Sequence, residues 1–144
     1  MLTVFLSGGM TGLTREEMTE WREWVKIHAK FYPMRIISMP DYFIDGAEWY
    51  DEDKEGFIFA TNWVKKSNVV IACMNAPKSV GTAQEIMLAY EYGKPIIMIA
   101  NKDKWENEIC PWLKHEATTV FFYEDYEDED DLYGDVVDYA AMYE

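Results

Sequence analysis

Ser79, Gly81, Thr82 and Glu85 fall close together between two apolar runs, and their types suit chemistry on a sugar or an anion. Val69 to Met74 (Val-Val-Ile-Ala-Cys-Met) reads as a buried parallel strand and Pro95 to Ala100 as the next. The intervening small polar residues predict a turn, then a short helix from about Gly81 to Tyr92. A strand–turn–helix of this kind aims free backbone N–H groups at a ligand above the strand ends. The Ser79 hydroxyl and the Gly81 N–H can both donate to a phosphate or hydroxyl. Glu85, on the first helical turn, is placed to act as a nucleophile or base. A second reading is local: Thr82-Ala83-Gln84-Glu85 is itself a capping-box pattern, in which Glu85 bonds back to the Thr82 N–H. Both readings stand on the residues alone.

The elements that must position these residues follow from the hydrophobic pattern. Leu2 to Leu6 reads as the first strand, ending in the loop Ser7-Gly8-Gly9-Met10-Thr11-Gly12. Its three glycines permit positive φ and close approach of a ligand. Thr14-Arg15-Glu16-Glu17 is a capping box, and the helix it opens carries Met18, Trp21, Val25, His28 and Phe31 on one face. His28 there reads as a packed or rim residue. Pro33 ends the helix, Arg35 to Ser38 reads as strand two, and a loop follows from Met39-Pro40-Asp41. The segment 45–53 is aromatic and acidic, and its Trp49 and Tyr50 are candidates to stack on a base. Further on, the pattern predicts a helix over about 54–66 and helical structure over 105–115, broken or restarted at Pro111. A fifth strand is expected over 118–122 and a closing helix over 132–143. This alternation implies an α/β domain: a flavodoxin- or Rossmann-like five-stranded parallel sheet, order 2-1-3-4-5, with helices on both faces. The crevice of such a sheet lies at the carboxyl ends of strands one and three. There the Ser7–Gly12 and Asn75–Thr82 loops converge.

Length and composition bound the rest. The 144 residues are read as one domain, and 49% hydrophobic with 16% aromatic content excludes general disorder. No apolar run approaches the roughly 20 residues of a membrane span, and no basic region precedes the apolar N-terminal residues, so the expectation is a cytoplasmic protein without membrane partners. Two cysteines and two histidines suggest neither a disulfide framework nor a zinc site, and no cofactor is expected. The net charge of −14 argues against long nucleic acids as partners. Residues 124–131 concentrate the acid and read as a solvated connection, with DNA mimicry or a basic partner as the alternative.

Val4-Phe5-Leu6-Ser7-Gly8-Gly9-Met10-Thr11-Gly12 resembles the opening strand and loop of the nucleoside 2-deoxyribosyltransferase superfamily, which includes the 2′-deoxynucleoside 5′-phosphate N-hydrolases. Ser79-x-Gly81-x-x-x-Glu85 has the spacing of that family's Ser, Gly and nucleophilic Glu, and Ala89 through Gly93-Lys94-Pro95-Ile96-Ile97 resembles its ending. The matches span residues 4 to about 99. The resemblance implies N-glycosidic chemistry at C1′ of a deoxynucleoside or its 5′-monophosphate, by transfer or hydrolysis. Glu85 would be the nucleophile, and Gly8, Gly9 and Gly81 would give backbone N–H contacts. Ser79 would meet a 5′-phosphate, and Phe5, Ser7, Met10, Asp41 and Thr82 would complete the substrate site. It also implies a homodimer or higher homo-oligomer, in keeping with six Trp and ten Tyr in so short a chain.

The chain departs from that family's pattern. Phe5 stands where a Tyr usually bonds the nucleophile, Ala60 and Asn68 stand where two Asp are usual, and Thr11 replaces an Arg of the hydrolase branch. Asp41, Tyr50, Asp51 and Asn62 are candidate substitutes. On this reading the enzyme lacks its acid and its orienting hydroxyl. Gly81-Thr82-x-x-Glu85 also matches the tail of the Gly-Gly-x-Gly-Thr-x-x-Glu motif of phosphoribohydrolases, but Lys78 and Ser79 replace its leading glycines. A non-enzymatic alternative is a degenerate member that binds a nucleotide or ADP-ribose-like ligand.

Overall fold

The computed structural model describes residues 1–43 and 52–144. Strands β1 (Leu2–Gly8), β2 (Met34–Ser38), β3 (Val69–Cys73), β4 (Ile96–Ala100) and β5 (Thr119–Phe122) form one parallel sheet in the order β2-β1-β3-β4-β5. This is the order expected from the alternation of strands and helices. Alternate residues serve opposite faces. Leu2, Val4 and Leu6 of β1 join Ile71 and Ile97 in a core closed by helices α1 (Arg15–Ala29) and α6 (Glu129–Ala141). Phe5, Val70, Ala72 and Met98 join the opposite core. That side is covered by α2 (Glu52–Lys66), α3 (Val80–Glu91) and α5 (Pro111–Glu116). A sheet covered on both faces has no polar side, which is why its central strands are unbroken apolar runs.

Local signals explain most element ends. Thr14 caps α1 with both bonds of the capping box present. The helix closes at Ala29, so Phe31 lies beyond it and is 81% exposed, against the expectation that it extends the apolar face. Pro111 restarts rather than interrupts helical structure: α4 (Lys102–Asn107) ends, and α5 begins with Pro111 in its first turn, where a missing N–H costs nothing. The acidic residues of 124–131 are exposed, as expected of a solvated segment, but the segment is not all connection. Tyr123–Asp125 forms a 3-10 turn, Asp128 caps α6, and Glu129, Asp130 and Asp131 occupy that helix's first turn. Carboxylates there meet the positive end of the helix dipole.

Candidate functional site

The carboxyl ends of β1 and β3 open into a cavity of about 840 Å³. Its walls come from both expected loops (Gly8, Met10 and Thr11; Ala76 to Thr82), from α3 (Gln84, Glu85) and from α2 (Gly56, Phe57, Ala60, Thr61). The volume lies within the range of small-molecule sites. Two glycines bring the loops together. A Cβ on Gly9 would lie 2.4 Å from the Ala76 Cβ, and one on Gly8 would lie 2.8 Å from the Trp21 ring. Their role is close packing; positive φ belongs to Gly12 (80°).

Glu85 defines the cavity floor. Its Oε1 accepts a hydrogen bond of 2.7 Å from Ser7 Oγ, across 78 positions of sequence. The residue keeps some surface toward the cavity, but its carboxyl is enclosed by protein. Desolvation therefore raises its pKa to about 7, opposed by the Ser7 hydrogen bond and by the positive charge of Arg22. Glu85 makes no capping box with Thr82. The α3 cap is Ser79, whose hydroxyl accepts from the Thr82 N–H at 3.3 Å and from the Thr82 hydroxyl at 3.0 Å. The Ser79 hydroxyl proton remains for a ligand. Gly81 lines the cavity, its N–H among those that a helix start leaves without an intrahelical acceptor.

Not all the expected contacts reach the cavity. Gly8, Met10, Ser79, Gly81, Thr82 and Glu85 line it; Phe5, Ser7, Gly9 and Asp41 do not. Phe5 is fully buried in the α2/α3-side core and is corrected from binding residue to core residue. Two residues further along the same face of β1, Ser7 supplies the hydroxyl that Phe5 lacks. Ser7 is 1% exposed and acts on Glu85 rather than on a ligand. The Gly9 N–H is committed to Asn75 Oδ1 at 2.9 Å. Asp41 is exposed and ion-paired with Lys26 at 2.7 Å. Asn62 is exposed on α2 and does not line the cavity, whereas Trp49, Tyr50 and Asp51 lie outside the described residues. Ala60 lines the cavity, but Asn68 sits at the opposite end of β3, where its Oδ1 accepts the Thr3 N–H at 2.8 Å.

Three charged cavity residues escaped the sequence reading: Arg22, Lys78 and Glu108. Arg22 had a signal. It lies on the apolar stripe of α1 with Met18, Trp21 and Val25, where a cation is out of place unless it has a task. Exposed Lys78 falls in the Asn75–Thr82 loop expected at the crevice, whereas exposed Glu108, at the end of α4, has no local pattern to mark it.

No protein-family model matches the chain, and no curated protein sequence does. Solved structures do. A conserved protein from Enterococcus faecalis V583 superposes with a TM-score of 0.73 at 14% identity, covering 96% of this chain and 99% of that one. The CMP N-glycosidase of Clostridium botulinum gives 0.63 at 19% identity, covering 95% and 98%. A 2-deoxyribosyltransferase from Bacillus psychrosaccharolyticus gives 0.66 at 16% identity, covering 95% and 91%. The chain shares its fold with these three proteins, among them an N-glycosidase and a 2-deoxyribosyltransferase. At these identities the likeness concerns the fold alone, and any chemistry rests on this chain's own site.

Proposed function

We propose that this protein breaks the N-glycosidic bond of a deoxynucleoside or its 5′-monophosphate, with Glu85 as the nucleophile. The observation that carries this reading is the enclosed Glu85 carboxyl, held by Ser7 on the floor of a cavity roomy enough for a nucleotide, beside the α3 N-terminus. A carboxylate oxygen attacks C1′, the C1′–N bond breaks, and its electron pair leaves with the base, which takes up a proton. Water or a second base then attacks C1′ and returns Glu85 to the carboxylate, giving hydrolysis or transfer with retained configuration. Ser79 and the first N–H groups of α3 are suited to a phosphate or hydroxyl on the sugar.

Incubation with a panel of deoxynucleosides and their 5′-monophosphates, followed by detection of free base, tests the reading. Release by the wild type and its loss in Glu85→Gln support it, and wild-type turnover in Glu85→Ala overturns it. The presence of Ala60, with no carboxylate among the described α2 residues that line the cavity, favours one second reading: a binder that holds a nucleotide without turnover. Saturable binding with no base released from any member of the panel selects that reading.

A further inference from the structure

Arg22 is the only charged side chain in the buried class among the described residues, at 1% exposed. Its Nε, Nη1 and Nη2 donate to the carbonyls of Met18, Leu6 and Gly8 at 2.9, 3.0 and 3.3 Å. These bonds fix the guanidinium under the end of β1 and leave two of its five N–H groups over. Its face also packs on the Trp21 ring, 4.7 Å from the centroid. No described carboxylate lies within ion-pair distance of it. A guanidinium buried against neutral carbonyls is desolvated without an opposite charge beside it, and an apolar residue would fill α1's stripe without that cost. The cavity that Arg22 lines has one enclosed carboxyl among its described residues, that of Glu85.

We infer that Arg22 is a positioning residue, the fixed counter-charge that holds Glu85 in the ionised form its attack requires. The inference rests on the proposed role of Glu85. Three influences act on that carboxyl: enclosure, which favours the neutral acid, and Ser7 and Arg22, which favour the anion. Among the described residues, α2 lines the cavity with Gly56, Phe57, Ala60 and Thr61, none of them charged. Lys78 ahead of α3 and Glu108 at the end of α4 face the cavity from its exposed rim with opposite signs. Asp41 and Cys73 act on Arg22 itself. Burial lowers the Arg22 pKa to about 10, so it stays charged through the neutral range.

The test reads Glu85 directly. With its side-chain carboxyl followed by carbon-13 NMR, Arg22→Met is expected to raise the Glu85 titration midpoint by about one pH unit. Arg22→Lys, which keeps the charge, is expected to leave the midpoint near that of the wild type. The acid limb of kcat/KM should move with it, costing about tenfold below the midpoint. Should Arg22→Met fail to fold, Arg22→Gln removes the charge while keeping an amide donor for the Leu6 carbonyl. An unmoved midpoint in the uncharged variant overturns the inference, as does an equal rise in Arg22→Lys. A raised midpoint without base release from any substrate supports the counter-charge and overturns the proposed reaction instead.

Discussion

A carboxyl group whose folded-state pKa is about 7, against an ordinary value of 4.5, ties stability to pH with a definite sign. The folded protein holds a proton that the unfolded chain has already lost. The contribution is therefore fully present below about pH 4.5 and disappears as pH rises to about 7, a loss of at most about 3 kcal/mol. Denaturant titrations across that window should show stability falling in the wild type, and Glu85→Gln should remove this part of the slope. With Glu85 in the proposed role of nucleophile, turnover should run the other way, rising with pH as the carboxyl ionises, so stability and activity would oppose each other at this residue. Ser7→Ala sharpens the argument. It deletes a hydrogen bond to a carboxylate, worth about 1.5–3 kcal/mol, so kcat/KM near pH 7 should fall about ten- to a hundredfold while the spectrum of the folded state is kept. Unchanged kinetics in Ser7→Ala would show that the bond does not serve attack.

At the scale of elements, the start of α3 is set by Ser79, and Ser79→Ala should cost about 1 kcal/mol by chemical denaturation. Thr82→Ala, which leaves that cap in place, should cost less. The capping pattern Thr82 to Glu85 gives way to a cap at Ser79, a choice that local reading does not foresee. The choice is made by Ser7, distant in sequence and adjacent in space, which takes Glu85 away from the helix end. Strands were legible because a doubly covered parallel sheet writes itself as apolar runs, and β1, β3 and β4 are such runs. The bond from Ser7 to Glu85 and the place of Arg22 at the cavity were not assigned, because each acquires its meaning from a partner on another element. The α2 wall then makes a specific forecast. With Ala60 in place of a carboxylic acid, kcat should depend steeply on the acidity of the departing base across a graded series of deoxynucleosides. Ala60→Asp should flatten that dependence and speed the poorest leaving groups by about tenfold or more. A flat series in the wild type would mean that another group, such as Glu108, already protonates the base.

For the molecule as a whole, the exposed sides of α2 and α3 pose a physical problem. Phe57, Ile58, Val80, Met87 and Tyr90 face solvent there, with Val80 69% and Phe57 62% exposed. Apolar surface gathered on neighbouring helices favours association, and Phe57 and Val80 also rim the cavity. The expected species at micromolar concentration is therefore a dimer of the 16.9 kDa chain joined through this face. Its electrostatics fix a second, less obvious expectation. Each copy carries −14, so two copies repel, and salt screens that repulsion over about 10 Å at 0.1 M. Sedimentation velocity should show the dimer strengthening as salt rises from low to physiological ionic strength, the reverse of a complex held by ion pairs. Ile58→Glu or Met87→Glu, neither of which lines the cavity, should add charge to the interface and shift the protein toward a folded monomer. A wild type that sediments as a monomer at every salt concentration would leave this apolar face without a second copy and end the case for a shared assembly.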